Sequence, residues 1–261
     1  MNVKSDIKPF KMYGNLYFVG SRKVSVHIIK TEVGLVMIDT GYPDMYEQIL
    51  DSMNELGLDP KEICAIVHSH GHIDHFGTTP QFKKLTGAKT YIGRPDNDIA
   101  NGTYDLSWAK ELGLERVPSF DCDVLIDDGD ILEFGNTKIR CVAAPGHTEG
   151  TLAFFVNIEE GGKSIVAAMH GGIGLNSMYA DFLESYGLSL DCREKFRQAL
   201  HKLANEHVDL VLGNHPGQSD TEGKLAKVLA GEKILDDSEW GRFLERTEKH
   251  LDDMLEKEKN K

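Results

Sequence analysis

The segment His70-Gly71-His72-Ile73-Asp74-His75 constrains this chain more than any other. Four metal-capable side chains fall within six residues, directly after the apolar run Ile63 to Val67, which reads as a strand. Imidazole and carboxylate suit zinc, iron and neighbouring metals. Side chains alternate along an extended chain, so His70 and His72 project to one side. Asp74 and His75 follow within reach of a second ion. The spacing is not that of the i, i+4 histidines of a helical zinc site. With 11 histidines in 261 residues, three beside an aspartate in one short run are not an accident of composition. A solvated polar loop is the bland alternative, and the density of ligands argues against it.

A close pair of ions, each four-coordinate with one hydroxide shared, takes about three protein ligands per ion, about six in all. The loop offers four. His147, in Pro145-Gly146-His147-Thr148, and His215, in Gly213-Asn214-His215-Pro216-Gly217, both stand at strand-to-loop transitions, where functional groups collect. His170, in Met169-His170-Gly171-Gly172, is a third such case.

The surrounding pattern is β-rich, helix, strand, helix, and then the same order again. Leu16 to Val19, Val24 to Lys30 and Gly34 to Asp39 read as strands, and Asp44 to Leu56 carries apolar residues at helical spacing with Gly57 as its stop. A helix through Phe82 and Leu85 ends at Gly87, and a strand surrounds Tyr91. The stretch 101–123 shows weak periodicity, as a loop or short helices near the site. Strands return at Val124 to Ile126, Ile131 to Phe134, Thr137 to Ala144, Thr151 to Val156 and Ser164 to Met169. Cys192 to Asn205 is helical, Val208 to Leu212 a strand, and Thr221 to Leu229 helical. Trp240, Phe243, Leu244, Leu251, Met254 and Leu255 form one apolar stripe on a final helix. Two such halves can pack sheet against sheet with helices outside, a mixed α/β, αββα sandwich spanning 1–261 as one domain.

Acidic residues outnumber basic ones 42 to 29, a formal net charge of -13, and no basic patch offsets it. That field repels phosphate backbones and anionic lipid, so neither nucleic acid nor a membrane is an expected partner. Cys64, Cys122, Cys141 and Cys192 are far apart and form no C-x-x-C pair, which argues against a disulfide framework and for small buried apolar residues. Met1 to Phe10 lacks the apolar core of a signal peptide, and no apolar run is long enough to span a bilayer. The expected location is cytoplasmic. The oligomeric state is not legible.

The motif His70-x-His72-x-Asp74-His75, with Gly146-His147-Thr148, a later strand-end histidine, and Met37-Ile38-Asp39-Thr40-Gly41 upstream, resembles the metallo-β-lactamase superfamily. These motifs span residues 37 to 217. The resemblance implies the αββα sandwich, with a metal site at the edge between its sheets. It implies a first metal on His70, His72 and His147 and a second on Asp74, His75 and His215, with Asp39 bracing the metal loop by hydrogen bonds. The ions would be two divalent cations, zinc first, with iron or manganese as alternatives. His68 would be packing or rim. Most hydrolases of the superfamily carry a bridging aspartate after the strand that here ends Val166-Ala-Ala-Met169, whereas this chain has His170. His170 is left as a fifth ligand to one ion, a substrate contact or a bystander. The remaining set is similar to the zinc β-lactamase subclass that lacks a bridging protein ligand.

The implied chemistry is hydrolysis of a small-molecule substrate by a metal-bound hydroxide, with Asp74 also orienting the nucleophile. One fold of this kind serves lactams, thioesters, lactones and phosphoesters, so substrate depends on loops. A β-lactam or related cyclic amide or ester ranks first, and a thioesterase or lactonase of the same fold second. An iron-dependent redox enzyme and a non-catalytic metal-binding protein are the rivals from other classes. Tyr104, Trp108, Ser177, Met178 and Tyr179, in irregular or Gly-flanked stretches, are the pocket candidates.

Overall fold

The computed structural model describes residues 7–260, so most of the N-terminal stretch Met1 to Phe10 lies outside the described residues. The first sheet begins with β1 (Phe10–Tyr13), β2 (Leu16–Phe18), β3 (His27–Thr31) and β4 (Gly34–Ile38), joined antiparallel. After helix α1 (Tyr46–Glu55), β5 (Ile63–Val67) lies parallel to β4. Two short helices, α2 (Ile73–Phe76) and α3 (Thr79–Thr86), lead to β6 (Lys89–Gly93). Helix α4 (Asn97–Ala100) precedes a long irregular loop and β7 (Val124–Ile126), and the seven strands stand in sequence order. Glycine ends both larger helices of this half. Gly87 caps α3 at φ 68°, and Gly57 follows α1 at φ 69°, a left-handed backbone that costs glycine little.

The second sheet holds β8 (Ile131–Phe134), β9 (Thr137–Ala143), β10 (Leu152–Glu160) and β11 (Lys163–His170), all antiparallel. Then come α5 (Ala180–Ser185), α6 (Cys192–Leu203) and β12 (Leu210–Gly213), the last parallel to β11 at the sheet edge. Helices α7 (Thr221–Leu229) and α8 (Glu239–Lys259) close the chain. No helix among the described residues is long and apolar enough to cross a membrane.

Period-two alternation sorts the strand residues between layers. Phe18, Val36, Val67, Cys141, Phe154 and Met169 meet between the sheets in one buried cluster. Ile28, Met37 and Ile66 face the other way, onto Ile49 and Met53 of α1 and Phe82 of α3. On the far side Val142, Phe155 and Ala168 pack against Phe196 and Leu200 of α6 and the predicted stripe of α8, whose Trp240 indole donates to the Leu203 carbonyl at 3.0 Å. The layers are therefore helix, sheet, sheet, helix, as expected. Strand β1 is an addition to the sequence reading. All four cysteines are free thiols.

Loops from both sheets converge at one edge of the sandwich. The Leu152 amide at the start of β10 donates to the Ser69 carbonyl at 3.0 Å, and the Ser25 amide donates to the Asn214 carbonyl at 2.9 Å. These two bonds tie the sheets together where the histidine-rich loop emerges from β5.

Candidate metal centre

The 70–75 loop lies just beyond β5, and short helix α2 begins at Ile73, with His72 at its N-cap position in extended conformation. One turn of helix therefore places Asp74 and His75 beyond the extended pair His70 and His72. His147 comes from the turn between β9 and β10, and His215 follows β12. The chain gathers these six into two trios, His70 with His72 and His147, and Asp74 with His75 and His215. In each trio the ligand atoms lie within 4.8 Å of one another. Each trio draws two members from the first sheet's loop and the third from the second sheet.

Hydrogen bonds fix which nitrogen each ring presents. The Gly174 carbonyl can only accept, so His147 Nδ1, 2.6 Å away, carries the proton and leaves Nε2 bare. The Lys23 carbonyl does the same for His215 Nδ1 at 2.6 Å. The Ser69 hydroxyl donates to Asp39 Oδ2 at 2.7 Å, so its oxygen accepts from His70 Nδ1 at 3.1 Å. His75 Nδ1 donates to Asp39 Oδ2 at 2.8 Å, and its buried Nε2 has no hydrogen-bond partner. Outer nitrogens are held by acceptors and inner nitrogens converge, as in second-sphere support of metal-binding imidazoles. The sharpest consequence is His70 Nε2 and His147 Nε2 at 3.2 Å. Both rings carry their protons on Nδ1, so two lone pairs face each other inside the protein.

Electrostatics reinforces this assignment for His70, His72, His147 and His215, whereas His75 is held protonated beside its carboxylates. Burial, with help from neighbouring imidazoles, holds His70 and His72 well below the ordinary histidine range, so they stay neutral. Burial takes His147 down to about 4, and burial followed by His75 lowers His215. For Asp74, burial acts upward but the His75, His215 and His72 imidazoles outweigh it, leaving the carboxyl far below its usual range. For His75, burial acts downward, and the Asp74 and Asp39 carboxylates override it and raise the ring to about 10.

Asp39 sits at φ 60°, a left-handed position that aspartate tolerates better than most residues. From there it also accepts the Ser69 amide at 2.7 Å, so it braces the loop as the sequence suggested. His68 is buried packing, with its nitrogens 2.9 Å from the Tyr91 carbonyl and 2.8 Å from Thr79 Oγ1.

His170 belongs to neither trio. Along β11, Ile165, Ala167 and Met169 point between the sheets, so the next side chain points outward. It lies against Phe196 of α6, ring centroids 5.9 Å apart, and its Nε2 is buried without a partner. Of the three roles left open for it, ligation in this arrangement is removed. Beyond it, Gly172 passes so close to His147 that a Cβ there would stand 2.6 Å from Cδ2 of the ring.

The pocket candidates divide. Tyr104 and Ser177 line a cavity of about 480 Å³ that also touches His72 and His147. Trp108 lines a smaller cavity of about 160 Å³ with Tyr42, Asp74 and His215. Met178 is a correction, because it is fully buried in the outer core beside Phe196. Tyr179, half exposed, lines neither cavity, since the chain turns there into α5. The 101–123 stretch is an irregular loop draped over the metal loop. The Ile73 amide donates to the Ser107 carbonyl at 2.8 Å, and Trp108 lies 5.6 Å from the His72 ring.

Sequence reasoning missed Asp96. Its buried carboxylate accepts the Gly71 amide at 2.7 Å, the Thr148 hydroxyl at 2.6 Å and the Gly150 amide at 2.8 Å. It thereby clamps the 70–75 loop to the turn that carries His147. Burial pushes it up to about 6, against those three bonds. The one signal was a carboxylate just past a strand end, in Arg94-Pro95-Asp96.

Comparison with known proteins fits this geometry. A probable metallo-hydrolase of Methanocaldococcus jannaschii is 27% identical over 118 residues, 45% of this chain and 44% of that protein. A hydroxyacylglutathione hydrolase of Maricaulis maris is 28% identical over 122 residues, 47% of this chain and 38% of that protein. The chain thus spans less than half the length of these two relatives. The crystal structure of BJP-1, a subclass B3 metallo-beta-lactamase of Bradyrhizobium japonicum, superposes with a TM-score of 0.86 over 98% of this chain and 97% of that one. Its 24% identity speaks for the fold alone. The model of the metallo-beta-lactamase superfamily matches residues 19–160, more than half of the chain and including the 70–75 loop and His147, so the chain belongs to the metallo-beta-lactamase superfamily.

Proposed function

We propose that this protein is a metal-dependent hydrolase of small molecules with a dinuclear centre. The observation that carries the reading is the facing pair of imidazole lone pairs on His70 and His147, 3.2 Å apart and buried. Two lone pairs at that distance repel unless a cation lies beside both. His72 completes one nitrogen trio. Asp74, His75 and His215 form a second, mixed trio, in which His75 Nε2 lies 3.4 Å from Asp74 Oδ2 and would give up its proton on taking an ion. Imidazole with one carboxylate suits zinc, and iron or manganese are the competing occupants.

When bound, two such cations lower the pKa of coordinated water from 15.7 to about 7 and polarise a substrate oxygen. The chain's own residues set the stage for that chemistry. Asp74, held ionised by the surrounding imidazoles, offers a carboxylate oxygen that orients a nucleophilic water. Asp39 and Ser69 hold His70 and His75 in register. Trp108 and Tyr42 line the smaller cavity together with Asp74 and His215. Neither trio uses a carboxylate from β11, a donor pattern that favours a cyclic amide such as a β-lactam over thioester and lactone substrates.

Metal analysis of protein purified without added metal, with nitrocefin, thioester, lactone and phosphodiester substrates, tests the proposal. Zinc with turnover of one class is expected, and Asp74→Ala or His72→Ala should cut that turnover by at least about 100-fold in folded protein. Iron with oxygen uptake, or full turnover in either variant, would refute it.

A further inference from the structure

The larger cavity has a selective character of its own. It meets the metal centre at His72 and His147, the residues it shares with the smaller cavity. Its volume of about 480 Å³ is in the range of small-molecule sites. Ile99, Leu106, Phe182 and Leu188 give it apolar walls. The charged groups around it are mostly acidic, Asp96, Asp98, Glu149 and Asp191 against a single ammonium, Lys195. Lys195 is committed to Glu149 at 2.9 Å and to Asp191 at 3.5 Å. Among the described residues, Asp98 has no ion-pair partner. An anionic group entering here would meet uncompensated carboxylate and would have to break the Lys195 pairs.

A second observation lies around the mouth. Of the ten exposed large hydrophobic residues described, six fall in two segments: Tyr104, Leu112 and Leu114 in one, Tyr179, Leu188 and Leu190 in the other. Tyr104 and Leu188 line this cavity and Leu112 lines the smaller one, and apolar surface gathered at a cleft marks a binding face rather than scattered exposure.

We propose that the molecule processed at this centre carries an uncharged hydrocarbon arm that lies in the larger cavity, and that arms ending in an anion are rejected. Naming that molecule a substrate rests on the hydrolase reading; the selectivity of the cavity does not. Arms of this kind separate an amphiphilic ester or amide from a polyanionic thioester or a phosphodiester.

The test is binding of the neutral fluorophore N-phenyl-1-naphthylamine to the zinc-loaded protein. Saturable micromolar binding is expected. Leu188→Asp, at the cavity mouth, and Phe182→Asp, on its wall, should each weaken it at least tenfold. Leu229→Asp, on an exposed residue of α7 outside the cavity, should leave it unchanged. 1-Octanol should displace the fluorophore at a concentration at least tenfold below that of octanesulfonate. No saturable binding, binding unaffected in both cavity variants, or displacement by the sulfonate as readily as by the alcohol would each overturn the inference. Tight, alcohol-selective binding by a protein that cleaves no substrate would instead refute the hydrolase reading while supporting the cavity's selectivity.

Discussion

His70 and His147 bring their Nε2 atoms to 3.2 Å although 77 residues separate them in the chain. Each Nδ1 is already bound to an oxygen acceptor, so neither ring can relieve the contact by moving a proton to its inner face.

Zinc titrated into chelator-stripped protein should therefore bind as two equivalents. At a thousandfold excess over Kd, binding to the folded state alone contributes about 4 kcal/mol. At about 2–4 °C per kcal/mol for a chain of this size, the melting temperature should rise by roughly 10 °C. His147→Ala should bind one equivalent fewer. Isothermal and scanning calorimetry read both quantities, and an unchanged stoichiometry in the variant would refute the first trio.

The metal-free protein should show an asymmetric dependence on pH. Burial lowers His27 and His147 to about 4 and His170 to about 3, from an ordinary 6.5. Between about 6.5 and 4 the unfolded chain binds protons that the folded one refuses, so stability falls on acidification. His75 behaves oppositely. Burial acts downward on it but its carboxylate neighbours raise it to about 10, so its contribution is complete below 6.5 and fades as pH climbs towards 10. Scanning calorimetry in chelator from pH 4 to pH 10 should find the highest melting temperature near neutrality. A flat profile below 6.5 would count against neutral buried imidazoles.

Replacing Asp96 should hurt metal binding without touching a ligand. Asp96→Ala strands two buried amides and a hydroxyl, each costing about 1–3 kcal/mol when left unpaired. Loss of the clamp should weaken first-site zinc affinity by about 10–100-fold, the usual range for a second-sphere partner. Competition with a chromophoric chelator measures this, and wild-type affinity in a folded variant would show that the two loops hold their places without it.

His170→Leu should retain both equivalents of zinc. The substitution removes the unpartnered Nε2 but also the Nδ1 that accepts the Gly172 amide at 3.3 Å, so stability should fall by about 1–3 kcal/mol. Loss of an equivalent would restore His170 as a ligand.

Much of this architecture was legible because local rules and tertiary structure agree. Alternation in Thr137 to Ala143, the apolar stripe from Trp240 to Leu255, and the glycine stops at Gly57 and Gly87 each predict what the fold contains. The candidate ligands were legible for a similar reason, since ligand-rich loops at strand ends have few other uses, while their division into two trios came from the family resemblance. His170 misled because standing after a strand says nothing about which face a residue occupies; counting parity from Met169 would have sent it outward. Met178 misled because Ser177, next to it, does reach the cavity while Met178 turns into the core. Asp96 left no pattern, because its three partners come from segments that only the folded chain brings together. The 101–123 loop has no periodicity to read, and its order comes from contacts such as Ile73 to Ser107 and Phe120 to Phe76.

Each trio borrows its third member from the opposite sheet, His147 from the β9–β10 turn and His215 from beyond β12. Ions seated there would rivet the two halves of the sandwich together. A nascent or damaged chain with only one half assembled would present at most two donors per ion and hold neither firmly. Cation retention would then act as a checkpoint on assembly, arming the reactive centre only in molecules whose halves have met.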